Sequence, residues 1–300
     1  MQICNDWRAR SVGGLDTALL LWEICVVPSL LHGCGTWVGI TAAIEKKLND
    51  LQLWFARLAL QVGKGTPRAA LTWETGLLDM QLRIWIEKVM LVLHIQALEE
   101  SSLARQMYEE QKANNWPGLA KETKTICENL GVEDVNSTAK GKKEYKKIMV
   151  EACLKKDEAI KRKQAEGNIK CDKIMKDSYG KKSYVRQQNI NVSREYFRTR
   201  VSMHRFAGNY RHDPAFRRTG GLCRCGTAPE QEQHLTSGDC PVYRDIWEQY
   251  GDQTDDQSLV DMFREILARR DAIDTAVVAG TDATGGRQPG GNPGQADLGT

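Results

Sequence analysis

From Leu15 to Leu98 apolar side chains recur with a helical period. Ile44, Leu48, Leu51, Phe55, Leu58 and Val62 follow one another at spacings of four and three, which puts them on one helix face, with Lys46, Lys47, Asp50 and Arg57 on the other. That face is predicted to pack on a core. Gly63 and Gly65 are expected to end this helix, and Thr66-Pro67 to start the next, with Thr66 as N-cap and Pro67 at the first helical position. The run from Leu82 to Leu98 is apolar nearly all round (Ile84, Trp85, Ile86, Val89, Met90, Val92, Leu93, Ile95) and is predicted to be the most buried element of the N-terminal half.

Trp116-Pro117-Gly118 interrupts this pattern, and beyond Lys124 lysines predominate around short apolar positions such as Tyr145, Ile148, Ala152 and Ile160. Helices can form there, but little core is expected. Strand signals are weak throughout, so the fold is predicted to be mostly α. The expected divisions are a helical domain over 1–113, a basic helical linker over 114–192, an arginine- and aromatic-rich segment with a metal module over 193–250, and an acidic helix over 251–279. The Gly-, Pro-, Asp- and Thr-rich stretch 280–300 is expected to be a disordered tail.

The chain has 300 residues, 41% hydrophobic and 27% charged, enough to bury a real core. Leu15–Leu31, the longest apolar run, contains Asp16, Glu23 and Pro28 and has no signal-peptide flank, so neither membrane insertion nor secretion is expected. Six of the nine cysteines (Cys4, Cys25, Cys34, Cys127, Cys153, Cys171) stand singly in helical segments, which argues for a reducing, intracellular compartment, nuclear or cytoplasmic. The net charge of +3 hides a division: residues 140–218 carry 23 Lys/Arg against 9 Asp/Glu, and residues 228–300 carry 5 against 14. A block so basic suits a polyanion partner, while a solvated lysine-rich helix is the plainer alternative.

The densest chemistry is Cys223-x-Cys225, then eight residues, His234, then five residues, Cys240. Three thiolates and an imidazole match the tetrahedral preference of structural Zn2+, and Gly220, Gly221 and Gly226 supply turning freedom. Four protein ligands would leave no position open for water. His204 and His212 lie near enough to substitute as ligands, and the alternative is a set of reduced surface thiols. Just upstream, Arg194, Arg198, Arg200, Arg205, Arg211, Arg217 and Arg218 are interleaved with Tyr196, Phe197, Phe206, Tyr210 and Phe216. Guanidinium forks reach phosphates and rings stack on bases, although some of these aromatics are expected to form a small core instead. The candidate nucleic-acid contacts are Lys142, Lys143, Lys146, Lys147, Arg198, Arg200, Arg205, Arg217, Arg218 and Arg224.

No catalytic motif for phosphate binding, serine hydrolysis or zinc proteolysis is present. Asp255-Asp256 lacks the apolar strand flanks of a polymerase metal site and reads as a solvated loop, and His32-Gly33-Cys34-Gly35 reads as a turn.

Pro28-Ser-Leu-Leu-His-Gly-Cys-Gly-Thr-Trp37, Ile44-Glu45 with Leu48, Leu51–Arg57 and Thr66-Pro-Arg-Ala-Ala-Leu-Thr-Trp-Glu-Thr-Gly76 together resemble the region downstream of the palm in non-LTR retrotransposon reverse transcriptases. Arg198 to Arg205, Gly208-Asn209 and the Cys/His cluster with Cys240-Pro241 are similar to the C-terminal zinc-knuckle segment of the same family. The resemblance covers about half of the chain. It implies a helical thumb, a structural zinc held by Cys223, Cys225, His234 and Cys240, and RNA or DNA as partner. It also implies that the family's fingers and palm, with their Tyr/Phe-x-Asp-Asp site, would precede residue 1, so that the chain is a fragment without polymerase activity of its own. A structural or protein-interaction helical module with a structural zinc site is the competing expectation.

Overall fold

The computed structural model describes residues 14–136, 138, 140–186, 190–204, 206, 221–236, 238–250 and 256–284. They are mostly helical, and among them the sole β-type pairing is an isolated bridge between Leu222 and Pro229. Two compact units, Met1–Met203 and His204–Thr300, divide the chain.

The first unit begins with α1 (Leu15–Leu21), a π-turn (Trp22–Val26) and α2 (Val27–Leu30). Pro28 explains the widened turn, because its ring has no N–H and collides with the preceding turn of an α-helix. The His32–Gly35 segment is indeed a turn, with Gly33 left-handed at φ 68°. Gly35 sits where a Cβ would meet the Glu87 carbonyl oxygen and the Leu91 side chain at 3.2 Å, so the turn can lie close against the following helix layer. Then come α3 (Ala42–Leu60), α4 (Arg68–Thr75), α5 (Met80–Gln96), α6 (Leu103–Ala113), α7 (Leu119–Leu130), α8 (Lys142–Ala165), α9 (Ile169–Met175) and α10 (Ile190–Arg200).

The buried face of α3 differs from the expected one. Gln52, Leu53, Ala56, Ala59 and Leu60 point inward, whereas Ile44 and Leu51 are exposed and Leu48 and Phe55 only half-buried. Small alanines allow closer helix approach than the larger residues of the apolar stripe, and the turn of Gln52 inward is supported by its amide donating to the Leu78 carbonyl at 3.0 Å. Gln61, left-handed at φ 51°, ends the helix ahead of the expected glycines, and Pro67 rather than Thr66 occupies the N-cap of α4.

Two cores fill this unit, and α5 serves both. Met80 and Ile84 join Leu19, Trp22, Leu60, Trp73 and Phe197, while Leu82, Ile86, Val89 and Val92 join Tyr108, Ile126, Tyr145 and Met149. A helix buried on two sides needs apolar residues nearly all round, as its sequence has. Trp22 stacks on Phe55 at 4.4 Å, Trp73 is wholly buried, and Trp37 and Trp85 pack partly buried against the two cores, so the unit itself takes up four of the five tryptophans of residues 15–98; Trp54 stays half-exposed.

The expected basic linker is corrected. Residues 114–192 belong to the first unit, because Tyr145, Met149 and Cys153, one turn apart on α8, are fully buried in the second core, and Cys171, Ile174, Tyr184 and Val185 enter the first. Eight lysines in the 24 residues of α8 make it look core-poor by composition, yet the narrow stripe suffices to dock the helix. Asp157 and Lys161 on α8 are buried as well, the ammonium donating to Asp157 (2.5 Å), the Leu77 carbonyl (2.8 Å) and the Tyr179 hydroxyl (2.9 Å).

The second unit contains α11 (Glu232–Thr236), α12 (Arg244–Tyr250) and α13 (Asp256–Thr284). The acidic helix begins at Asp256 and runs to Thr284; 285–300, the greater part of the expected tail, lie outside the described residues. Of the Asp255-Asp256 pair, Asp255 also falls outside them, whereas Asp256 opens α13 rather than standing in a loop. Phe206, Leu235, Tyr243, Ile246, Met262, Phe263 and Ile266 form one core with Cys223 and Cys240. No helix among the described residues is long and apolar enough to cross a membrane.

Candidate metal centre

The loop after Gly221 folds as a tight knuckle. Cys223 N–H donates to the Ala228 carbonyl (2.8 Å), Gly226 N–H to Cys223 (2.9 Å) and Glu230 N–H to Gly221 (2.9 Å). Gly226 at φ 75° and Gly221 at φ 81° take backbone conformations that L side chains resist, which is why a one-residue gap between cysteines can point both thiols to one place. His234 comes from α11, and Cys240 from the turn into α12, where Tyr243 N–H donates back to its carbonyl (3.2 Å). Gly238 at φ 74° lets the chain lie on the Trp247 ring, which a Cβ there would reach at 3.0 Å.

These turns bring the four side chains together. The ligand atoms of Cys223, Cys225, His234 and Cys240 all lie within 4.8 Å of one another, and the four can hold a metal ion. Cys223 Sγ and Cys240 Sγ are 3.6 Å apart, and Cys225 Sγ is 3.2 Å from His234 Nε2. A tetrahedral ion with metal–sulfur bonds of about 2.3 Å separates its sulfurs by about 3.8 Å, so the donor set has both the chemistry and nearly the spacing of such a site. Cys223 and Cys240 are buried and Cys225 and His234 partly so.

Protonation follows position. Burial pushes the Cys223 thiol up to about 12, and burial also raises Cys240. At Cys225 the upward push of burial is outweighed by hydrogen bonds from the Thr227 hydroxyl (3.0 Å) and backbone, then from His234 and Cys223, and its thiol falls to about 6. A cation at the centre would draw all three thiols to the thiolate form. Among the described residues His204 is not part of the cluster; it is buried against Phe263, 4.3 Å between ring centroids, and Phe206 at 5.4 Å. His212 lies outside the described residues.

The arginine expectations divide sharply. Arg198 and Arg200 are buried, 4% and 8% exposed, and so are corrected from phosphate contacts to internal partners. Arg198 binds Glu195 and the Gln61 carbonyl (3.0 Å), while Arg200 donates to Glu74 (2.7 and 3.2 Å) and to Asp177. The reason is tertiary: Glu74 is wholly buried and requires a cation, with the Tyr184 hydroxyl at 2.9 Å as further donor. Arg224 forms a bidentate pair with Asp274 of α13 (2.7 and 2.6 Å), with Glu230 at 3.7 Å. Glu230 itself is buried and takes Arg270 at 3.1 Å. No local signal connects Arg224 to an acid fifty positions away. Lys142, Lys143, Lys146 and Lys147 are exposed on the first turns of α8. Arg205, Arg217 and Arg218 lie outside the described residues.

Comparison with protein-family models, with curated proteins and with solved structures returns no match for this chain.

Proposed function

We propose that this chain is the nucleic-acid-binding, C-terminal part of a non-LTR retrotransposon-type reverse transcriptase, thumb-like in its first unit and carrying a zinc knuckle in its second, with no catalytic palm. The observation that carries the reading is the convergence of Cys223, Cys225, His234 and Cys240 on one closed N/S donor set. Structural Zn2+ suits those four ligands, leaving no position for a reactive water, and its role would be to hold the knuckle rather than to catalyse. Lys142, Lys143, Lys146 and Lys147 supply exposed charge for phosphates, contacts that set affinity and position without reading sequence. RNA or DNA is the partner in this reading, and no residue is assigned to catalysis.

Zinc content of the purified chain and its binding to labelled RNA and DNA across a salt series test the proposal. One zinc per chain and an affinity that falls linearly on a log–log plot are expected. Absence of zinc, or binding indifferent to salt, refutes it. Specific contacts favour a second reading, a protein-interaction module. Arg198, Arg200, Arg224 and Arg270 are already engaged by carboxylates of the chain's own units. If the chain holds zinc but binds no nucleic acid, that second reading stands.

A further inference from the structure

The cation that lies between the two knuckle cysteines is already held by carboxylates. Arg224 stands between two of the four ligands, in the knuckle loop that the ion would hold. Its Nε and Nη2 donate to the two carboxylate oxygens of Asp274 at 2.7 and 2.6 Å, the fork-to-fork geometry by which guanidinium also grips a phosphate. Asp274 is carried by α13, and this helix is seated on the module by Met262, Phe263 and Ile266 in the shared core and by Arg270 on the buried Glu230 and Arg269 on Asp245 (2.5 and 2.7 Å). The carboxylate is thus presented to Arg224 by a docked element rather than by a loose chain. Asp274 remains nearly half-exposed, with 46% of its side chain open, while Arg224 is only 16% open. An incoming phosphate can reach the pair from the Asp274 side, but must displace the carboxylate to use the arginine.

We infer that α13 is an autoinhibitory element, in which Asp274 occupies the phosphate-binding fork of Arg224 and holds the knuckle in a state of lowered affinity for polyanions. The inference rests on the nucleic-acid reading proposed above and adds regulation to that same module. Asp274 serves as the carboxylate stand-in for a backbone phosphate. Its release, by a stronger polyanion or by loss of its charge, opens the Nε–Nη2 edge of the guanidinium to a phosphate without disturbing the metal ligands, while Nη1 stays beside Glu230 at 3.7 Å. The hydrogen bonds with Arg224 also hold the Asp274 carboxyl below the ordinary carboxylate range, in keeping with an engaged anion.

The test compares the full metal-loaded chain with Asp274→Asn, using a labelled single-stranded RNA and its DNA counterpart over a salt series. A partly exposed ion pair is worth about 0.2–1 kcal/mol, which converts to a gain of about 1.4- to 5-fold in affinity when the competing carboxylate is neutralised. The salt slope should steepen by about one, because one more phosphate is contacted. Arg224→Ala in the Asp274→Asn background should return both quantities to the wild-type range. Zinc content and helical circular dichroism report that the variant is folded, and Asp274→Ser provides a second, smaller replacement with the same expected direction. If wild type binds with a salt-dependent affinity and both variants match it in affinity and slope, the autoinhibitory role is overturned while the nucleic-acid reading survives. If neither wild type nor variants bind either polymer at any salt, both are overturned.

Discussion

Arg200 offers a decisive measurement, because a surface phosphate contact and a buried structural ion predict opposite outcomes. Arg200 is 8% exposed, Glu74 is wholly buried, and the two are joined by hydrogen bonds of 2.7 and 3.2 Å, with Tyr184 donating to the same carboxylate at 2.9 Å. Replacing Arg200 by Ala would leave the Glu74 carboxylate in the core with the tyrosine hydroxyl as its remaining side-chain donor among these contacts. Removing one partner of a buried pair costs about 3–5 kcal/mol, since an uncompensated charge stays in low dielectric. For a unit of about 200 residues each kcal/mol shifts the midpoint by about 2–4 °C, so the first unit should melt about 6–20 °C lower. Differential scanning calorimetry of the wild type, Arg200→Ala, Glu74→Ala and the Arg200→Met/Glu74→Leu double variant makes the comparison. Both single variants should be strongly destabilised, and the double variant should recover a large part of the loss, since of the carboxylates paired with Arg200 only the part-exposed Asp177 then loses its partner. An Arg200→Ala protein with an unchanged melting profile and weakened RNA binding would refute the reasoning and return Arg200 to the nucleic-acid surface.

Cys225→Ser should abolish stoichiometric zinc, and the second unit should lose protection from hydrogen exchange as far as α13, because Met262, Phe263 and Ile266 share a core with Cys223 and Cys240; mass spectrometry reads both, and retained zinc would contradict the ligand set. Converting Lys142, Lys143, Lys146 and Lys147 together to Ala should reduce the magnitude of the salt slope of single-stranded RNA binding by up to about 2.8, at about 0.7 per phosphate, while leaving the melting temperature nearly unchanged because all four are exposed; an unaltered slope would remove them from the interface. Gly76→Ala should destabilise the first unit by about 1–3 kcal/mol, since the position is left-handed at φ 69° and the new Cβ would fall 2.8 Å from the Lys181 backbone nitrogen; urea denaturation measures it, and a neutral result would show that the 180–182 segment yields easily.

What could be read directly from the chain was local: helical content, the N/S donor set and the turns that need glycine. Period, donor chemistry and φ preference are properties of residues close together in sequence, and so α5 announced its burial and Cys223, Cys225, His234 and Cys240 announced their convergence. Tertiary packing decided the rest. Composition made residues 114–192 a linker, but three residues at Tyr145, Met149 and Cys153 buried one stripe of α8, because docking depends on which face is apolar and not on how many lysines surround it. The apolar stripe of α3 was likewise outranked by a face of Ala56 and Ala59, where close helix approach is possible. Arginine carries the same charge whether it meets a phosphate or a carboxylate, and only the fold brought Glu74 to Arg200 and Asp274 to Arg224, across 126 and 50 positions of sequence.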